Sequence, residues 1–308
     1  MPKIAVIGEG VIDRFISGDT HKDVIGGSGL NTAVALKRAG SNGIWFTRLS
    51  SDANGQLLSS YAATEGVLDS NATKAAEPAP LVKVHLSDSG QPKYEFELEG
   101  AADWQWSATE LLPLKSEYAV IQIGSLSAVL DPGATVLIET LRDLKSSGSA
   151  PLITYDPNAR PSAASDEAHA DLMKERINQV VELADMVKVS DEDLSWIFPN
   201  QDAAESARKW SERGPQLVVM TMGGDGAVAY HLGKEIARVP GEKIQVVDTV
   251  GAGDTFMAWL IHGLASAHDC KVPTTEAEIS SLLSKAAKAA AITCSREGCK
   301  PPFANEFV

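Results

Sequence analysis

Basic residues are scarce: 27 lysines and arginines stand against 41 aspartates and glutamates, a formal charge of −14 over 308 residues. A surface of that sign repels phosphate backbones and anionic lipid, which argues against nucleic-acid or membrane-surface partners. A small anionic ligand stays compatible, because a few local donors outweigh a distant net charge. No run approaches the eighteen apolar residues of a membrane span. The opening segment, Met1 to Phe15, lacks the basic, long apolar and small-residue regions of a signal peptide and reads as a first strand. Only three cysteines occur, Cys270, Cys294 and Cys299; they cannot all pair and form no CxxC, so reduced thiols in a cytoplasmic protein are expected. Without export, the acceptor pattern Asn71-Ala72-Thr73 carries no weight.

Several chemical signatures are also missing. Gly8-Glu9-Gly10 follows the first strand, but Asp13 stands where a dinucleotide fingerprint needs a third small residue. A carboxylate there would face the pyrophosphate, so an NAD-dependent oxidoreductase fails on its fingerprint. Gly233-Lys234 is followed by Glu235, which excludes a P-loop. There is no GxSxG elbow and no HExxH. The nearest histidine pair, His262 and His268, has no recognised ligand spacing.

What remains is an ordinary globular composition, 44% hydrophobic and 22% charged, able to bury a sizeable core. Short apolar runs (3–8, 43–46, 118–124, 151–155, 186–189, 216–220 and 227–230) alternate with helical patterns (31–38, 55–65, 135–146, 171–183, 203–213 and 279–293). Runs apolar throughout suit strands covered on both faces, and the alternation predicts an α/β fold with a mostly parallel sheet and helices on both sides. From about Pro80 to Trp106 the rhythm breaks: two strands flank the turn Asp88-Ser89-Gly90-Gln91-Pro92, a hairpin with no helix to cover it. It is either an edge of the main sheet or a separate flap over a cleft. With no linker or repeat, the chain reads as a single domain, 1–308.

The most informative segment is Asp248-Thr249-Val250-Gly251-Ala252-Gly253-Asp254, followed by an apolar helical run. A tight turn of small residues opening a helix presents unpaired N–H groups and a positive dipole end, which makes an anion cradle without a lysine. Asp254 within it reads either as a first-turn carboxylate that helices favour or as a general base beside a phosphate.

Taken together, this turn, Gly26-Gly27-Ser28-Gly29-Leu30-Asn31 at a helix head and Asp13 resemble the signatures of the PfkB, or ribokinase-like, carbohydrate kinases. The resemblance continues through Asp156-Pro157-Asn158-Ala159-Arg160, Lys188 to Asp193 and Thr221 to Gly226, and closes at Thr293 to Gly298. It is nearest to bacterial fructokinases. It implies a three-layer α/β/α sandwich with a small β lid drawn from about 11–24 and 80–106. It also implies Asp254 as the base, with the backbone N–H groups of Ala252, Gly253 and Asp254 forming the anion hole and Thr249 and Gly251 shaping the same turn. Sugar contacts carry over to Asp13, Gly26, Gly27, Asn31, Tyr94, Phe96, Asn158 and Arg160. Nucleotide contacts carry over to Lys188, Ser190, Thr221, Gly223, Gly224, Gly226, Gly251, Gly253 and Ala287. The bland alternatives are a turn role for Asp13 and a helix N-cap for Asn31. Two departures stand out: Ser190-Asp191-Glu192-Asp193 replaces the family's NxxE, and Ala287 replaces an adenine-contacting asparagine. Magnesium through water is assigned to Asp193 or Glu192, and a monovalent cation such as potassium to Asp248, Thr249 and Ser295.

The expected activity is ATP-dependent phosphorylation of a small sugar's primary hydroxyl. The alternatives are a 2-keto-3-deoxygluconate kinase, a ribokinase or nucleoside kinase, and, from another class, an inactive sugar- or nucleotide-binding regulator. Glu95, Glu97 and Glu99 alternate with Tyr94, Phe96 and Leu98, so the second flap strand offers carboxylates and no arginine. That favours a neutral sugar, and the resemblance to fructokinases implies fructose. Trp104 and Trp106 read as packing residues beside the hinge, and the flap's apolar face is an expected surface for a homodimer.

Overall fold

Alternation of single residues between two hydrophobic clusters explains the layering. The computed structural model describes residues 1–18, 20–68, 72–86, 92–148 and 150–307, without the side chains of 86 and 92–94. Its central sheet has eight strands, in the order β14 (Lys234–Val239), β13 (Ala227–His231), β12 (Leu217–Thr221), β11 (Met186–Ser190), β10 (Leu152–Asp156), β9 (Val120–Gly124), β1 (Lys3–Ile7) and β4 (Asn42–Trp45). Ile4 and Val6 of β1 join one cluster while Ala5 and Ile7 join the other. In β12, Leu217 and Val219 are divided in the same way from Val218 and Met220. Side chains of period two buried on both faces require runs that are apolar throughout.

The first cluster is covered by α1 (Ser28–Arg38), α2 (Ala53–Thr64), α7 (Ala252–Ala267) and α8 (Glu276–Cys294). The second is covered by α3 (Gly133–Ser146), α4 (Glu167–Leu183), α5 (Asp191–Ile197) and α6 (Ala203–Trp210). The result is the expected three-layer sandwich. Strands from β12 to β4 pair in parallel, and β13 and β14 close the sheet antiparallel. β14 escapes a search for apolar runs because it is a half-exposed edge strand that carries Lys234, Glu235 and Arg238.

The flap is half of a separate four-stranded sheet, β3 (Thr20–Gly26), β2 (Val11–Ser17), β7 (Leu81–Leu86) and β8 (Pro92–Glu97). Two further short strands, β5 (Arg48–Ser50) and β6 (Thr73–Ala75), pair beside the main sheet. Val11, Val82 and Val84 are buried on the small sheet's inner face with Phe96 packed on them. On its charged side Lys83 pairs with Glu95 and Glu97, and His85 Nε2 lies 3.2 Å from Glu95. The carboxylates expected there are therefore partly balanced by a lysine on the neighbouring strand. Most of the turn between β7 and β8 (87–91), like Asn71, lies outside the described residues. After Glu97 the chain leaves the sheet: Trp104 and Trp106 bury in the second cluster, Trp106 stacked on Phe46 with ring centroids 5.3 Å apart.

One close approach fixes the entry to α1. A Cβ on Gly29 would run into the backbone of Gly8, so the end of β1 and the start of α1 touch main chain to main chain. Gly29→Ala is expected to cost about 2–3 kcal/mol, as overpacking against an unyielding neighbour does. Urea unfolding checks this, and a midpoint equal to wild type would contradict the contact.

Candidate active site

α7 starts from Gly251, whose φ of 74° lies in the left-handed region, so a residue with a Cβ would be strained there. Ala252, Gly253 and Asp254 form the first helical turn. The Ala252 N–H turns back to the Thr249 carbonyl at 3.2 Å, while those of Gly253 and Asp254 have no protein partner among the described residues. Of the three donors expected for the anion hole, two are thus directly available. The Asp254 carboxylate is buried and shared between two partners on α1: Ser28 Oγ donates to Oδ1 at 2.8 Å and Asn31 Nδ2 to Oδ2 at 2.9 Å. Asn31 is not the N-cap of α1; that position is Gly27, and Asn31 spends its side chain on Asp254.

Beneath this turn lies a buried cation. A Cβ on Gly253 would sit 3.1 Å from Lys188 Nζ, which in turn lies 2.7 Å from Asp156 Oδ2. Burial alone would push Lys188 down, but the carboxylates of Asp156, Asp193 and Asp254 prevail and hold it above the usual lysine range, fully charged. Burial pushes Asp156 up to about 6, with Lys188 pulling the other way.

On the sugar side, Asp13 on β2 points toward Gly26, its Oδ2 3.0 Å from where a Cβ would stand. Burial raises its carboxyl to about 6 against the attraction of Arg160. Arg160, itself exposed, also faces Glu9, a buried carboxyl raised by its burial. Glu9 Oε1 accepts the Ser28 N–H at 3.3 Å, and its Oε2 has no hydrogen-bond partner among the described residues. Asp103 accepts the Gly10 N–H at 2.8 Å and is held well above the carboxylate range by burial. Asn158, at φ 37°, donates its N–H to Asp156 Oδ1 at 3.1 Å, and its Nδ2 is buried with no partner among the described residues. Phe96 is half-buried under the lid, and the side chain of Tyr94 lies outside the described residues.

The nucleotide side is a cavity of about 940 Å³. Of the nine residues expected on that side, Thr221, Gly223, Gly224, Gly226, Gly253 and Ala287 line it, whereas Lys188, Ser190 and Gly251 lie outside its lining. No atom comes within 4 Å of a Cβ on Gly223 or Gly224, so the turn after β12 leaves open space for a ligand. Exposed Ile244 and Val246 add apolar lining suited to a flat base. Ser190 pairs with Thr221 across the strand ends and caps α5 in a reciprocal box with Asp193. Asp193 is thereby occupied: Oδ2 accepts the Ser190 N–H at 3.2 Å and Oδ1 the Ala159 N–H at 2.9 Å. Glu192 is exposed and open to water. Among the described residues no three His, Cys, Asp or Glu converge on one point. Asp248 closes the loop before α7, accepting from Val250 N–H at 3.1 Å and Gly298 N–H at 2.9 Å. Ser295 Oγ donates to the Ile292 carbonyl at 2.7 Å, and Thr249 lines the cavity.

Sequence reasoning therefore named most of the side chains around the turn. It assigned no role to Ser28, Glu9, Asp103 or Asp156. Glu9 was visible only as the middle of a failed dinucleotide fingerprint, and Ser28 and Asp156 only as letters inside motifs. Asp103 carried no signal, since its contact with Gly10 spans 93 positions.

The raised Asp13 carboxyl has a consequence for stability. Its ordinary value is 3.8 and its folded value about 6, so between those limits the folded chain keeps a proton that the unfolded chain has lost. Stability must fall as pH rises through that window and stay reduced above it. Asp13→Asn is expected to gain about 1–2 kcal/mol at pH 7 and nothing below about pH 4. Urea unfolding at both pH values tests the sign, and an equal change at both would refute it.

Comparison with known proteins agrees with this geometry. Residues 1–305 match the pfkB family carbohydrate kinase model. A fructokinase of Rhizobium leguminosarum bv. trifolii is 34% identical over 268 residues, covering 85% of this chain and 79% of that protein. The fructokinase of Xylella fastidiosa, solved with bound ATP, superposes with a TM-score of 0.86 at 24% identity, over 99% of this chain and 96% of that one. A fructokinase of Vibrio cholerae O395 with fructose, ADP and potassium gives 0.81 at 21% identity, over 97% and 94%. With a family match over nearly its whole length, a fold to suit it and its motifs gathered around one glycine turn, the chain belongs to the pfkB family of carbohydrate kinases.

Proposed function

We propose that the protein transfers the γ-phosphate of ATP to a primary hydroxyl of fructose, with Asp254 as the general base. The observation that carries this reading is the placement of Asp254: a buried carboxylate held by Ser28 and Asn31, at a helix start that borders the nucleotide cavity. Asp254 takes the hydroxyl proton as the sugar oxygen attacks phosphorus. The N–H groups of Gly253 and Asp254, with the helix dipole and Lys188 behind them, face the charge on the transferring group. Asp13, Asn31, Asn158 and Arg160 orient the sugar, and the small sheet with Phe96 excludes water from the reacting oxygen. Names of similar proteins support fructose as the acceptor.

A charge argument favours the neutral sugar. Arg160 is the cation that a sugar acid would need, and Glu9 and Asp13 both face it. Lys83 on the lid is engaged by Glu95 and Glu97. A carboxylate substrate would therefore have to compete with the protein's own acids.

Magnesium belongs to the same reading. Both Asp193 oxygens already accept backbone N–H groups, so the donor set fits an ion carried mainly by phosphates and water, with Glu192 reaching it through water. Such an ion neutralises charge on the phosphates. Asp248, Thr249 and Ser295 would hold the monovalent cation, potassium being present in the Vibrio relative. Self-association through the lid and a cytoplasmic location complete the proposal.

A coupled ADP-release assay with ATP and magnesium tests it across fructose, ribose, tagatose, 2-keto-3-deoxygluconate and a purine nucleoside. Fructose is expected to give the highest kcat/KM. Turnover with the sugar acid alone would overturn the charge argument, and sugar binding without turnover would put a regulator in the enzyme's place. Asp254→Asn is expected to lower kcat by about 10²–10⁴ or more while sugar affinity stays within a few-fold. Near wild-type turnover in that variant would remove Asp254 as the base.

A further inference from the structure

We infer that Asp103 is a positioning residue for the sugar: its carboxyl group pins the link between β1 and β2, and so sets where Asp13 on the small sheet stands relative to Asp254 on the main body. The inference deepens the proposed function and rests on it for its catalytic meaning, while the pin itself can be read without any turnover.

The chain passes between the main body and the small sheet four times: at 8–10 into β2, at Gly26-Gly27 out of β3, at 76–80 into β7 and at 98–104 out of β8. These crossings are laced together. The Gly27 backbone, at a φ of 102°, is pressed on Glu9 and Gly10. The Ile12 N–H donates to the Pro80 carbonyl at 3.3 Å, and the Ala102 N–H to the Pro78 carbonyl at 2.9 Å. Asp103 ties the first crossing directly to the fourth. Its Oδ2 accepts the Gly10 N–H at 2.8 Å, and the residue is 4% exposed.

The two ends of this bond are held differently. The Asp103 end is anchored in the body: Ala101 and Trp104 bury in the second cluster, Trp104 Nε1 donates to the Leu98 carbonyl at 2.9 Å, and a Cβ on Gly133 would run into the Trp104 backbone. The Gly10 end has only backbone to hold, a glycine whose missing Cβ leaves room for the Trp45 ring. Three residues further on, β2 carries Asp13. Without the Asp103 oxygen the buried Gly10 N–H loses its acceptor, and the link has to shift to find another or to reach water. Asp13 shifts with it. A sugar held by Asp13 on one side and by Asn31 and Asp254 on the other must then reorder the link, and a displacement of about 1 Å between such groups can cost about 10²-fold in rate. The nucleotide cavity draws its lining from 221–256 and 287–294, none of it on the link.

The test compares wild type with Asp103→Ala and Asp103→Asn in the whole protein, by hydrogen exchange and by kinetics. Asparagine keeps an oxygen acceptor in place, and alanine does not. In Asp103→Ala the segment 8–17 is expected to exchange about 10-fold faster or more, while 120–124 in β9 changes by less than about three-fold, and Asp103→Asn is expected to exchange as wild type does. With ATP and fructose, Asp103→Ala is expected to raise the fructose KM about 10-fold, leave the ATP KM within about three-fold, and lose a several-fold larger share of its phosphate to water. Asp103→Leu, close in shape but without an acceptor, should behave like the alanine variant and serves if that variant does not fold. Unchanged exchange at 8–17, an equal loss for sugar and ATP, or an asparagine variant as impaired as alanine would overturn the inference. Faster exchange at 8–17 in a protein that phosphorylates no sugar would leave the pin intact and sink the fructokinase reading instead.

Discussion

Two helix starts meet at one carboxylate. Asp254 in the first turn of α7 accepts from Ser28 and Asn31 in the first turn of α1, and that pair of hydrogen bonds ties the two helix starts together. The contact is possible only because α1 and α7 lie side by side on the same face of the sheet and share one hydrophobic cluster. Four of the other groups are delivered by neighbouring strand ends: Glu9 after β1, Asp156 at the end of β10, Ser190 at the end of β11 and Thr221 at the end of β12. These are the carboxyl ends of parallel strands, the edge where open α/β sheets bind ligands. The buried core therefore matters to function mainly as the frame that holds two glycine turns in register.

The electrostatics resolve an apparent conflict. A protein with a formal charge of −14 has to admit a polyphosphate. Under the proposed function the donors for it are local: the N–H groups of Gly253 and Asp254, the helix dipole and a buried Lys188 kept charged by the acids around it. On the sugar side the balance is reversed. Buried Glu9, Asp13 and Asp103 are all raised by burial, and Arg160 faces the first two. Such carboxyls are costly to fold around and suited to hydroxyl groups, which can donate to them.

Much of this was legible in the chain itself. Seven of the eight strands of the central sheet announced themselves as short, mostly apolar runs, because burial on two faces leaves few polar positions. β14 did not, being an edge strand half in water. The hairpin was visible by period-two alternation, but its union with β2 and β3 was expected only from the family resemblance, since the pairing of β2 with β7 brings together segments about 70 residues apart. In the site, the glycine turn and Asp254 were readable because helix starts demand particular residue types, whereas Asn31 and Asp13 were named only through the family resemblance. Ser28, Glu9 and Asp103 were given no role. Their roles arise from single contacts between distant strand ends, and a lone serine or acid has no local pattern to betray it. The capping role of Asp193 was readable from Ser190 three positions earlier, and it competes with the metal role suggested by resemblance.

The most direct test of the central claim, that Asp254 activates a sugar hydroxyl rather than water, is the fate of the transferred phosphate. We would follow ³¹P NMR of ATP, magnesium and fructose with the enzyme. The account predicts ADP and an equal amount of one phosphomonoester, coupled to the protons of a primary carbon. Inorganic phosphate in place of the ester, or ATP left unchanged in the presence of bound sugar, would contradict it.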